Sequence, residues 1–286
     1  MVLEHLFPEN WLEKKARYAF LLGIAYSILG ITLSKMLFPK DPALVAVAFT
    51  SIFLLPSLYK LFSIEEHTEK KERVFSLKNL YQDNKEFIRV YLFLALGIFL
   101  VYSLASIVLP SFQVSQLFRE QLEMRGASGG AIFEQGLFQS ILINNWWVLF
   151  ACFVLSLMTG DGAIFLITWN ASLWGTIFGV TARDAALYAN TSPFFYLFLV
   201  LLIVLPHAFL EILSYIMAAI SGGVISKDVL LEKFESQRFK EVFFYNFMLF
   251  LLAVVVLVLG ALAESYVLSN VTTYKDIILQ SYLAFA

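Results

Sequence analysis

Residues 194–225 read FFYLFLVLLIVLPHAFLEILSYIMAAISGGVI, an apolar run whose only ionisable side chains besides tyrosine are His207 and Glu211. A helix rises about 1.5 Å per residue and a bilayer's hydrocarbon is about 30 Å thick, so about 20 apolar residues cross it. This run exceeds one perpendicular crossing. Pro206 in its middle removes a backbone donor and clashes with the preceding turn. The stretch therefore predicts a kinked span, or a half-helix that enters followed by a helix that crosses.

The same template finds six further spans: Arg17 to Phe38, Pro42 to Phe62, Ile88 to Leu109, Ile141 to Thr159, Ala163 to Val180 and Val242 to Ala263. The expected fold is all-α, a polytopic transmembrane helical bundle of about seven spans with a kinked or broken sixth helix, forming one integral membrane domain over residues 1–286. Composition agrees: 60% of the residues are hydrophobic, 15% are charged and the mean hydropathy is +0.78. Soluble domains average about 45–50% apolar and about 25% charged, so a soluble globule is excluded. A net charge of −2 supplies no cationic field for a phosphate backbone and excludes nucleic acid as a partner. Cys152 is the single cysteine, which excludes an internal disulfide and the multi-cysteine metal patterns. The first apolar run follows Lys14, Lys15 and Arg17, is longer than a signal-peptide core and lacks a small-residue cleavage site, so it reads as a retained span.

Orientation follows the flanking cations. With the N-terminus cytoplasmic and the C-terminus outside, the inner side collects 14 of the 20 Lys and Arg, and the outer keeps Lys35, Lys40, Arg119, Arg125, Arg183 and Lys275. The expected location is the cell membrane. Three polar segments remain. Ser63 to Glu86 carries mixed charges at helical spacing, which suits a solvated linker or a helix that docks a cytosolic partner. Ser111 to Gln139 begins amphipathically and breaks at Gly126-Ala127-Ser128-Gly129-Gly130, so it lies on the membrane surface or caps the bundle. Tyr274 to Ala286 is apolar but too short to cross, which predicts an interfacial helix.

Polar residues inside spans are costly and tend to face the bundle. Asn144 and Asn145 open the fourth span beside Trp146 and Trp147, Asn170 lies in the fifth, and His207 and Glu211 lie in the sixth. His207 and Glu211 are four apart and share a helix face with Ser214 or Tyr215, Ala218 and Gly222. An imidazole beside a buried carboxyl can relay a proton or bind a ligand. Alternatively, both residues bond to the asparagines of neighbouring spans as structural glue. A metal site lacks ligands, since His5 and His67 fall in predicted cytoplasmic segments, and no cofactor motif, HExxH, GxSxG or phosphate loop is present. The chain thus reads as a non-enzyme.

Gly23, Ser27, Gly30 and Ser34 form a small-residue stripe on the first span, and Gly175 and Gly179 a GxxxG on the fifth. Such spacing lets helix backbones approach closely within the bundle, with a homo-oligomer as the alternative use of the first stripe.

Ile143-Asn144-Asn145, the glycine turn around Asp161, Asn170 followed by Gly175, and Leu205-Pro206-His207-Ala208-Phe209-Leu210-Glu211 leading to Gly222-Gly223 together resemble the stage II sporulation protein M family. The resemblance covers Leu137 to Lys227; Ala208 departs from the glycine more usual after the histidine. It implies a helical membrane protein which, in spore formers, is a scaffold gathering cell-wall-degrading partners at the engulfing membrane. Most relatives occur in organisms that do not sporulate. By this resemblance Asn144, Asn145, Asn170, His207 and Glu211 form a shared polar core, and the expected partners are the lipid bilayer and other membrane or envelope proteins. The expected role is a membrane scaffold or assembly factor; the alternative is a transporter or permease component with a proton- or ligand-binding site at His207 and Glu211.

Overall fold

The computed structural model describes residues 17–65, 77–129, 136–231 and 236–284, and in them the chain is all-helical. In chain order the helices are α1 Arg17–Leu37, α2 Ala43–Glu65, α3 Leu77–Val108, α4 Ser111–Leu117, α5 Arg119–Gly129, α6 Leu137–Thr159, α7 Ala163–Ala189, α8 Pro193–Leu231, α9 Gln237–Asn270 and α10 Thr272–Leu283. Six of them, α1, α3, α6, α7, α8 and α9, are long and apolar enough to cross a membrane. The apolar part of α2, Ala43–Leu58, is shorter. Six crossing-length helices with the shorter α2 beside them come close to the about seven that the sequence predicts. Within the charged connector Ser63 to Glu86, residues 66–76 lie outside the described residues; α3 already begins at Leu77, ahead of the predicted span.

The long run that opens the reading forms one helix. α8 continues unbroken through Pro206, so the half-helix alternative does not form. Pro206 offers no N–H to the Leu202 carbonyl; before it Leu197, Val200 and Val204 pack with Ala182 and Ala185 of α7, and after it α9 meets Leu210 and Glu211 and α6 meets Gly222. The α6–α7 turn is closed by Gly160 at φ 82, a left-handed conformation that suits glycine, and by the Gly162 N–H donating to Thr159 Oγ1 at 2.8 Å. Asn190, at φ 50, ends α7 by donating its N–H to the Ala186 and Leu187 carbonyls.

These turns give the bundle two distinct ends. At one, the α6–α7 turn meets the C-terminal part of α8, where Lys227 lies within electrostatic reach of Asp161. At the other, α4, α5 and α10 gather over the α1–α2 and α7–α8 turns. Gln116 donates to the Pro39 carbonyl at 2.7 Å, and Arg119 pairs with Asp41 at 3.2 Å. Within the predicted amphipathic loop, α4 and α5 thus form a cap. α5 stays helical through Gly126 to Gly129, where the sequence predicts a break, and residues 130–135 lie outside the described ones. The short apolar tail is a helix packed on α7 and α8.

One hydrophobic core runs through the bundle, with Tyr91, Tyr102 and Tyr215 among its largest fully buried side chains. A second cluster joins Ala182, Ala185, Leu197, Val200 and Val204 to Ile107 and to Ile277 of α10. The outer surface carries many large apolar side chains: Ile28, Ile52, Leu96, Phe150, Phe165, Leu202 and Val255 all stand exposed on their respective helices. Water would penalise such a continuous apolar exterior, whereas lipid does not.

Candidate functional site

The polar residues of the second half are held by three helices in close contact. α6 and α8 run in the same direction and meet where a Cβ added to Gly222 would strike the Phe153 carbonyl oxygen. That approach aligns Asn145 of α6 with Glu211 of α8. On the other flank, α9 presents Gly260, where an added Cβ would lie 3.3 Å from both Glu211 Cγ and Leu210 Cβ. Glu264 lies four residues beyond Gly260 and so shares its face. Its carboxyl is within hydrogen-bonding reach of Glu211, as is the Asn145 amide.

The site is therefore a carboxyl pair, Glu211 and Glu264, with an amide beside it. Glu211 and Asn145 are buried, and Glu264 is half-buried. Asn144 is exposed but donates from Nδ2 to Asn145 Oδ1 at 3.2 Å, which orients the Asn145 amide. One turn along α8, Tyr215 is fully buried and lies within electrostatic reach of Glu211, Glu264 and Cys152. From α10, Tyr274 reaches Glu264. Ser214 turns its hydroxyl back to the Glu211 carbonyl at 2.7 Å and so belongs to the helix rather than to the pair.

Not every residue the sequence singles out converges here. His207 shares the helix face of Glu211 and is buried, but its Nδ1 has no hydrogen-bond partner and no bond joins it to Glu211. Asn170 is buried on α7 and spends its amide on the Leu166 carbonyl of its own helix at 2.8 Å. Of the small residues, Gly23 lies against Leu94 and Gly97 of α3, Gly30 against Ala46 and Thr50 of α2, and Gly175 and Gly179 against Phe99 to Ser106 of α3. Ser27 is buried in the same stripe. Each of these glycines is covered within the chain.

Two features escape the sequence reading. Glu264 follows directly on the seventh predicted span, which closes at Ala263, and the Gly260 to Glu264 spacing was the signal that could have found it. The second is an ion cluster at the capped end. Arg125 Nη1 and Arg183 Nε each lie 3.1 Å from an Asp184 oxygen, and Arg125 Nη2 donates to Ser281 Oγ at 2.8 Å. Arg183 also donates to the Ser106 carbonyl, and the Arg125 guanidinium sits over the Tyr282 ring. Five charged and polar side chains thereby tie α3, α5, α7 and α10 together.

Among the described residues no group of three or more His, Cys, Asp or Glu could hold a metal ion, and His5 and His67 lie outside them. At the opposite end Asp161 is buried in its turn with Oδ1 unpartnered, and burial pushes its carboxyl up to about 6 against the pull of Lys227.

No curated protein and no solved structure matches the chain. The family model described as stage II sporulation protein M matches residues 88–268, from α3 through most of α9, and so takes in the carboxyl pair as well as the proline-histidine segment. That match spans well over half of the sequence, and the chain belongs to the stage II sporulation protein M family.

Proposed function

We propose that this membrane protein is a non-enzymatic scaffold or assembly factor that organises other proteins of the membrane or envelope. The observation that carries this reading is the overhang of its helices. α3, α8 and α9 have 32, 39 and 34 residues, which at about 1.5 Å each gives lengths of about 48, 58 and 51 Å. A bilayer's hydrocarbon takes up about 30 Å. At the Asp161 end the first turns of α3 and α9 and the last turn of α8 continue past the apolar spans as a helical platform, braced by the Tyr245 hydroxyl donating to Asp83 Oδ2 at 2.8 Å, while α9 also runs past its span at the capped end, to Asn270. The cation excess of the flanks supports placing this end in the cytoplasm. The family is not known as an enzyme family, and the platform suits holding rather than reacting. Photo-crosslinkers at Lys240 and Glu241, exposed on the overhang of α9, should capture discrete partner proteins in native membranes, while one at the apolar-exposed Leu202 should capture lipid. Absence of any discrete protein adduct from thoroughly cross-linked membranes would remove the support for a scaffold.

A second reading, a transporter or permease component, draws on the carboxyl pair within the spans. It predicts pH-dependent flux through reconstituted vesicles that Glu211→Gln abolishes; unchanged flux in that variant rules the pair out as a coupling site.

A further inference from the structure

The contact between Glu211 and Glu264 raises a problem of charge. An ionised carboxylate only accepts hydrogen bonds, so two of them have nothing to exchange. Two adjoining negative charges away from water also repel far more strongly than they would in solution. No lysine or arginine faces either carboxyl among the described residues, and no hydrogen bond joins His207 to Glu211. Asn145 of α6 supplies one amide, Tyr215 and His207 lie one turn either side of Glu211 along α8, Cys152 of α6 lies within electrostatic reach of Tyr215, and Tyr274 of α10 within that of Glu264. None of these brings a positive counter-charge into contact. Glu211 is 5% exposed, and its Oε1 has no partner within the protein. A deeply buried acceptor is thus left open on a carboxyl already in contact with a second one, and such an acceptor calls for a donor.

We propose that Glu211 and Glu264 together hold a single exchangeable proton, so that the pair carries one negative charge inside the membrane and titrates as a unit. One carboxyl donates its O–H to the other, and the Asn145 amide, oriented by Asn144, bonds to Glu211. Release transfers the proton to water and leaves two carboxylates; uptake reverses it, and no other reactant is consumed. Glu264 is the less buried member and lies within electrostatic reach of Tyr274 of α10, so exchange runs through Glu264 towards the capped end. The inference goes beyond the scaffold reading and does not require that any solute be moved.

Infrared difference spectroscopy of the full chain in lipid vesicles tests it. At neutral pH the protein should show a protonated-carboxyl C=O band that shifts in heavy water, is lost on alkaline titration and is absent from both Glu211→Gln and Glu264→Gln. Glu264→Asp, which keeps the carboxyl, should shift the band rather than abolish it, and so distinguishes loss of the proton from loss of the fold. The proposal is overturned if the band is missing from the wild-type protein, if pH does not change it, or if it survives in either glutamine variant. It is equally overturned if sodium chloride removes the band at constant pH where choline chloride does not, since the pair would then bind a metal cation.

Discussion

Asp161 carries its carboxyl in a buried turn at the platform end, pushed up to about 6 by burial, with Lys227 only partly restoring it. A carboxyl raised in the folded state above its ordinary 3.8 contributes stability while protonated, and loses it as the pH rises from that ordinary value through about 6. Asp161→Asn, which keeps the neutral form, should therefore raise the thermal midpoint above pH 7 by roughly 2–4 °C and converge with the wild type near pH 4. Equal midpoints at both pH values would mean that Asp161 is solvated. At this scale the sequence was partly legible. The four-residue step from His207 to Glu211 placed both on one face, but a single helix cannot show which neighbour faces it. Glu264 stayed hidden because apolar windows end where charge begins. Asn170 looked equivalent to Asn145 because an asparagine that bonds its own helix is spelled the same as one that bonds another.

Helix contacts in this bundle depend on backbone meeting backbone. At Gly222 an added Cβ would meet the Phe153 carbonyl oxygen, with Leu157 N at 3.0 Å and Ser156 Cβ at 3.1 Å, so only separation of α6 from α8 could make room. At Gly260 the nearest atoms, Glu211 Cγ and Leu210 Cβ, stand at 3.3 Å and the Glu211 backbone nitrogen at 3.5 Å, so a shift of a few tenths of an ångström makes room. Gly222→Val should cost about 1–3 kcal/mol, whereas Gly260→Ala should cost clearly less. Thermal unfolding in detergent compares the two directly, and an equal loss at both would refute the distinction. The small-residue stripes of α1 and α7 were readable because their spacing repeats. Gly97, whose added Cβ would strike the Phe20 carbonyl oxygen, was not, because a lone glycine in α3 has no pattern until Gly23 is seen opposite it. Likewise, a proline in a long apolar run leaves kink and break equally open from the sequence, and only the structure shows one continuous helix through Pro206.

Across the whole molecule, the Asp184 cluster is what fastens the cap to the bundle. The side chains of Arg125 and Asp184 are only 14% and 3% exposed, so removing one partner strands a charge. Breaking such a pair costs about 3–5 kcal/mol. Asp184→Asn should therefore speed hydrogen exchange through α5 and α10 while leaving the α6–α8 contact protected, and uniform protection would show that the cap is held by apolar packing alone. Composition made the membrane class plain, because an exterior with so many large apolar side chains needs no alignment to detect. The cap was less visible, since its parts lie far apart in the chain and meet only on folding. α8 and α9, packed against each other along their length, cannot change tilt independently. A bilayer thicker or thinner than their shared apolar length is mismatched to both at once, at a fraction of a kcal/mol for each ångström.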